Sequence, residues 1–210
     1  MQETKNITLS RLQLRQSIVE TAMRLFMLHG IKAVKMDDIA HDLVISKRTL
    51  YELYDNKEQL LYEGVRYYHE KRQLDLEAYE AGGHNVLEVI IHLYRYHVEE
   101  FGQTNPLFYE DVVKYPSVFN ALMARQRHNQ SLFLEFMQRG VKEGFFQADV
   151  NYQLVAQMFE AFTTHLRQHH LYQQFSFEEL FFSTFFVMLR GFCTVKGITF
   201  LDQFVNENRQ

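Results

Sequence analysis

VKMDDIAHDLVISKRTLYELYDNKEQL, residues 34–60, reads as two short helices joined by a tight turn. The first covers about Met36 to Leu43. Asp37 and Asp38 lie in its opening turn, where the helix dipole favours carboxylates, and Ile39, Ala40 and Leu43 face inward. Ser46 is a good N-cap for the second helix, Lys47 to Tyr54. Leu50 and Tyr54 share its inner face, so Lys47, Arg48, Thr49 and Tyr51 are left outside. Four such side chains on one short helix suit a DNA groove, where cations meet phosphates and polar tips meet base edges. A charged face of this kind is, taken alone, more often a solvated helix surface.

The flanking segments extend the pattern. From Arg11 to His29, Ile18, Ala22, Leu25 and Phe26 recur at i, i+4, i+7 and i+8, one face of a helix, and Gly30 stands where a left-handed C-cap belongs. Downstream, Asn56 with Gln59 forms a capping-box pattern for a helix from Lys57 to about Tyr79, which Ala81-Gly82-Gly83 ends. Only two prolines, Pro106 and Pro116, interrupt the remainder. Asn105-Pro106 and Tyr115-Pro116 each mark a helix start, the second leading to about Arg139, with Gly140 and Gly144 at the next turn. Further helices are expected at Val86 to Phe101, Asn151 to about His170 and, capped by Ser176 with Glu179, Phe177 to Thr194. A short tail helix covers Phe200 to Asn206. No runs of alternating β-branched residues appear, so the expected fold is all-α.

Composition divides the chain. Residues 1–72 hold 12 Lys/Arg and 10 Asp/Glu, whereas residues 73–210 hold 10 and 16. The first segment is only mildly basic, so attraction to phosphates depends on placement rather than bulk charge. Phe26 is the only phenylalanine before residue 73; the other 18 follow. We therefore expect a helix-turn-helix DNA-binding domain over 1–56, a linking helix over 57–80, and a helical ligand-binding and dimerisation domain over 81–210. No apolar stretch is long enough to span a membrane, the start has no apolar leader core, and one cysteine, Cys193, fits a reducing compartment. A cytoplasmic location without membrane contact is the expectation.

In combination, LF-x-x-x-G at Leu25–Gly30, DIA at Asp38–Ala40, SKRTLY at Ser46–Tyr51 and NKEQLL at Asn56–Leu61 carry a specific pattern. It resembles the tetracycline-repressor (TetR/AcrR) family of bacterial transcription regulators over about a quarter of the chain. The resemblance implies a homodimeric transcriptional repressor on a palindromic double-stranded DNA operator, with a ligand module behind it. It also implies that Lys57 holds a phosphate at a helix N-terminus and that Lys35 stands where the family places a Thr or Ser cap. The DNA-contacting set is then Lys35, Ser46, Lys47, Arg48, Thr49, Tyr51 and Lys57. Besides Lys35, the Leu43-Val44 turn and Leu53 depart from the family. Leu43-Val44 replaces alanine-glycine in the turn, so either the turn differs or Val44 is strained, because left-handed backbone disfavours β-branched residues. Leu53 replaces a frequent histidine, removing one phosphate contact.

The phenylalanine-rich part has more apolar surface than a small helical core needs. Leu180–Phe192, LFFSTFFVMLRGF, is apolar nearly all round, which a second subunit would bury; Phe159, Phe162, Phe181, Phe185 and Leu189 are the expected dimer contacts. Tyr94, His97, Phe101, Phe108, Met123, Phe159 and Phe162 are the candidate lining for a small apolar or aromatic ligand, with plain core packing the alternative for each. His165 and His169 have the i, i+4 spacing of two metal ligands, but nothing nearby completes a set; no metal or cofactor is expected. Nor is there a nucleophile–base arrangement or a glycine-rich phosphate loop, so the chain is not read as an enzyme. The rivals are an activator or co-regulator of the same fold, and a helical-bundle enzyme.

Overall fold

The computed structural model describes the backbone of residues 2–208, and their side chains except for 2–9, 123–131, 167, 177, 207 and 208. In chain order the α-helices are α1 Gln2–His29, α2 Met36–Asp42, α3 Lys47–Tyr51, α4 Lys57–Ala81, α5 Val86–Gln103, α6 Pro106–Val112, α7 Pro116–Lys142, α8 Tyr152–Gln168, α9 Phe177–Leu180, α10 Val187–Phe192 and α11 Val195–Asn208. No strand occurs among the described residues; one isolated antiparallel bridge pairs Phe146 with Cys193. The all-α expectation holds. Two compact units divide the chain: one runs to Leu74 and takes up Gln103–Met123, the other comprises Asp75–Gly102 and the chain from Ala124 onward. The division falls inside α4, and the first unit takes up residues 103–123 of the segment 81–210.

The first unit has its own core. Ile18, Ala22 and Phe26 of α1, Ile39 and Ala40 of α2, Leu50 of α3, and Leu60 and Leu61 of α4 are all buried in it. Each large apolar side chain buried this way contributes on the order of 1.5–3 kcal/mol. α1 begins well before Arg11, since the polar stretch ahead of it contains no helix breaker. The start of α6 then clasps the end of α1. Asn105 donates its backbone N–H to the Met27 carbonyl at 2.7 Å and its side-chain amide to the Leu28 carbonyl at 3.2 Å, satisfying carbonyls that α1 cannot pair internally. Gly30, at φ +82°, lies so close to α6 that a Cβ there would stand 2.9 Å from that of Leu107. Glycine is required twice over, by the left-handed backbone and by the contact. Buried Asp111 of α6 accepts the Lys32 N–H at 2.7 Å and the Lys114 ammonium at 2.9 Å. Burial pushes its carboxyl up, but these bonds and the lysine charges outweigh that and leave it lowered.

In the second unit Val86, Leu87, Phe146, Leu189, Cys193 and Leu201 are almost completely buried. Gly140 lies inside α7 rather than at a turn. A Cβ at that position would run into the Phe146 ring, so the glycine makes room for a side chain beyond the helix end; the turn itself uses Gly144 at φ +78°. The expected regular helix from Phe177 to Thr194 is interrupted by a π-helical stretch, Phe181–Phe186. Within it the Thr184 hydroxyl donates to the Leu180 carbonyl. An inserted residue of this kind turns the aromatic side chains that follow to a new register. At its start the cap is as expected: the Ser176 N–H donates to Glu179 at 2.9 Å and the Glu179 N–H to the Ser176 hydroxyl at 3.1 Å. The tail helix, α11, is longer than expected at both ends.

Candidate nucleic-acid interface

The second helix of the 34–60 stretch is shorter than its spacing predicts. α3 ends at Tyr51, and one tighter turn, with Leu53 and Tyr54 N–H groups both donating to the Leu50 carbonyl, leads to Asp55. At its other end Ser46 takes extended backbone (φ −70°, ψ 147°) and its hydroxyl accepts the Thr49 N–H at 3.0 Å. Leu50 is wholly buried and pins the helix to the core. The opposite face is open: Lys47 and Arg48 side chains are 66% and 89% exposed, and Tyr51 is about half exposed. Thr49 is half-buried, its hydroxyl 2.8 Å from that of Ser46. Both cations are engaged within the chain. Lys47 donates to Asp37 at 2.5 Å and Arg48 to Glu52 at 2.9 Å; each bond raises the base's pKa.

Between the two helices the chain makes a left-handed turn at Val44. Ile45 N–H reaches back to the Ala40 carbonyl and Val44 N–H to that of His41, the double closure that normally places glycine at this position. Val44 has φ +55° and is 92% exposed. The turn is thus kept and the valine is strained. Left-handed backbone costs a non-glycine residue on the order of 1–3 kcal/mol, and exposed Val44 has few neighbours to offset it. Val44→Gly is accordingly expected to raise the melting temperature, by about 1 kcal/mol of stability once glycine's extra chain entropy is counted; an unchanged or lower Tm by calorimetry would refute the strain.

Beneath the turn, α1, α3 and α4 are tied by polar groups that spacing does not reveal. Arg15 of α1 donates to both oxygens of Glu63 of α4, at 2.6 and 2.8 Å. Its guanidinium lies 4.8 Å from the Tyr54 ring centre. The Tyr54 hydroxyl donates to Glu63 at 2.9 Å, and burial raises its pKa. Tyr54 is a core residue, as its spacing predicts. Leu53 is buried as well. At the start of α4 the Asn56 side chain accepts the Gln59 N–H at 2.9 Å, while Gln59 reaches back one residue further than expected, to the Asp55 N–H at 2.8 Å.

Lys57 is placed differently from the expectation. Its ammonium donates to the Ile31 and Val34 carbonyls at 2.8 and 2.9 Å, in the loop between α1 and α2. Desolvation lowers its pKa. The charge serves these backbone oxygens rather than standing out at a helix end. Lys35 is exposed, at the N-cap of α2. Its backbone N–H, not its side chain, makes the cap bond, to Asp38 at 2.8 Å.

Residues 18–63, from within α1 to the first turns of α4, match the family model of bacterial regulatory proteins of the tetR family. The helix-turn-helix module belongs to the tetR family. A search of the curated proteins found no match. Solved structures agree over nearly the whole chain. A TetR-family regulator from Agrobacterium tumefaciens is 15% identical and covers 88% of this chain and 100% of its own, with a TM-score of 0.69. A putative transcriptional regulator from Saccharomonospora viridis, solved with choline, is 20% identical, covers 93% and 97%, and has a TM-score of 0.60. The ketosteroid regulator KstR2 of Mycobacterium tuberculosis is 20% identical over 86% and 95%, with a TM-score of 0.54. At such identities the likeness shows the fold alone.

The candidate ligand residues fall in both units. Tyr94 is packed in the second unit's core, its ring 4.3 Å from that of Phe181, and burial ahead of the Glu178 charge pushes its hydroxyl up to about 12. Phe108 packs on the core of the first unit. His97 and Phe101 are half-buried on α5, ring centres 6.3 Å apart. Phe159 and Phe162 are half-buried on α8, the former against Phe185 at 4.9 Å. The Met123 side chain lies outside the described residues. Among the expected dimer contacts, Leu189 is 1% exposed and Phe181 and Phe185 pack on the same core. Leu189 therefore has no surface to offer a second chain. On α8, Leu154, Met158, Ala161 and His165 (i, i+4, i+7, i+11) are all exposed, a mostly apolar stripe on one helix face.

His165 and His169 rings lie 4.2 Å apart, and no group of three or more metal-ligating side chains occurs among the described residues. Cys193 is buried and desolvation pushes its thiol up to about 12. A thiol, not a thiolate, is then present at neutral pH. Iodoacetamide is expected to leave the native protein unmodified over hours and to label it once unfolded in guanidinium; rapid labelling of native protein, read by mass spectrometry, would contradict the burial. No helix among the described residues is long and apolar enough to cross a membrane.

Proposed function

We propose that this chain is a transcriptional repressor that binds a palindromic operator as a homodimer and is released by a small apolar or aromatic ligand. One observation carries the DNA reading: α3 stands on a fully packed three-helix head with Lys47, Arg48 and Tyr51 outward. Thr49 and Ser46 fix its first turn, and Lys35 adds a cation at the start of α2. Lys57 acts one step back, fastening α4 to the loop ahead of α2. The apolar stripe on α8 supports the dimer, since one mostly apolar helical face left open is the kind of surface a second copy covers.

α4 is one continuous helix whose first part belongs to the head unit and whose last turns belong to the aromatic unit. A ligand that favours a displaced position of its far end would thereby shift the Lys57 end and the reading helices with it. Such a ligand must prefer the released state, or it shifts nothing. The choline and ketosteroid regulators among the structural relatives support a small-molecule signal of that general size.

In a gel shift, the full chain mixed with duplex DNA from upstream of its own gene is expected to give a discrete band that persists under excess competitor DNA. A smear abolished by competitor at the same concentration as the shift would count against operator binding.

A further inference from the structure

The head carries an unusual charge arrangement for a DNA reader. Between residues 35 and 52 three cations, Lys35, Lys47 and Arg48, are outnumbered by four carboxylates, Asp37, Asp38, Asp42 and Glu52. Two of the carboxylates have structural duties. Asp38 caps α2 by accepting the Lys35 N–H, and Asp42 pairs with Arg24 of α1. The side chains of the other two go to the reading helix itself: Asp37 to Lys47 at 2.5 Å and Glu52 to Arg48 at 2.9 Å.

We propose that Asp37 and Glu52 set the specificity of the head, by holding Lys47 and Arg48 away from the phosphates of unselected DNA. The proposal rests on the DNA-reading function above and names what regulates that same site. Random DNA, held through its phosphates alone, must displace the two carboxylates and then bear their charge beside its own backbone. Arg48 bonds Glu52 through Nε, so its terminal nitrogens remain for a base edge. A duplex with correctly placed base edges is therefore read with that pair kept and escapes the cost that random DNA bears. Specificity thus includes a repulsive element as well as an attractive one. Both pairs are solvent-exposed and therefore weak, so they act as a threshold and not a lock. With only a mildly basic first segment, the head has no surplus cations to mask their effect.

The test uses the full chain and two labelled 30-base-pair duplexes. One is the tightest binder recovered by wild type from a random-sequence pool; the other is its scrambled counterpart. Wild type, Glu52→Gln, Asp37→Asn/Glu52→Gln and Arg48→Ala/Tyr51→Ala are titrated by fluorescence anisotropy across a salt series. Glu70→Gln serves as control, because Glu70 makes a like i, i+4 pair with Arg66 about 20 Å further along α4 from Lys57. The double neutralisation is expected to tighten scrambled-DNA binding about tenfold and selected-DNA binding less than threefold. Its log–log salt slope on scrambled DNA should steepen by about 0.9 for each further phosphate neutralised. Glu52→Gln, at an exposed helix end, gives a smaller change of the same sign and secures the result if Asp37→Asn disturbs the start of α2. Unchanged scrambled-DNA affinity, equal tightening on both duplexes, or the same tightening in Glu70→Gln would overturn the proposal while leaving DNA reading intact. If Arg48→Ala/Tyr51→Ala binds the selected duplex like wild type, or no duplex is enriched, the DNA-reading function itself fails.

Discussion

Replacing Arg48 and Tyr51 together by alanine is expected to weaken operator binding at least 100-fold and to leave folding nearly untouched. A well-made base contact discriminates by about 1–3 kcal/mol, and each 1.4 kcal/mol is about tenfold. On the proposed dimer, removing two side chains assigned to base reading from each copy takes away most of the selective affinity. Stability is spared because Arg48 is 89% exposed and pairs with Glu52 across one helical turn, an arrangement worth about 0.3–0.5 kcal/mol. Tyr51 is about half exposed and lies outside the buried core. Leu50, between them, is the contrast: fully buried, it should cost about 2–5 kcal/mol as alanine and abolish binding by unfolding the head. Calorimetry beside the binding assay separates these routes. Equal loss of stability in the two variants would show that α3 is held by its outer face.

Leu154→Glu/Met158→Glu is expected to convert a dimer into folded monomers, by light scattering, with loss of operator binding. Both side chains are more than half exposed on one face of α8, so two carboxylates there disturb little within the chain. Buried between two copies they would leave four unpaired charges, each costing several kcal/mol. Leu189→Glu should behave differently. Leu189 is 1% exposed within its own core, and a charge there is expected to unfold the second unit. Dimers persisting in the α8 variant would place the interface elsewhere.

What the sequence discloses here follows from how local the physics is. Caps and helix starts are legible at Ser46, Asn105-Pro106 and Ser176–Glu179 because donor and acceptor lie within three residues of each other. The core faces of α1 and α3 are legible because 3.6-residue periodicity and burial coincide. The misses involve partners distant in sequence. Lys57 is taken up by carbonyls 26 and 23 residues earlier, and Glu63 by an arginine 48 residues away. Gly140 reads as a turn residue, but its role is to admit the Phe146 ring. The aromatic content of the second half announces excess apolar surface without saying which residues cover one another. Leu189 and Tyr94 belong to the core, and the exposed stripe falls on α8 instead. Val44 lies between these cases: the substitution is visible in the sequence, and only the backbone, at φ +55°, decides that strain has been kept.

The most direct measurement is selection of duplexes from a random-sequence pool by the 210-residue chain, followed by sequencing, with Arg48→Ala/Tyr51→Ala run in parallel. The account predicts that wild type enriches an inverted repeat whose half-sites are centred about 10 base pairs apart, or a multiple of that, as two recognition helices in successive major grooves require. The variant should return a pool indistinguishable from its input. Enrichment of the same motif by both proteins, or of no motif by either, would contradict the claim that α3 reads DNA.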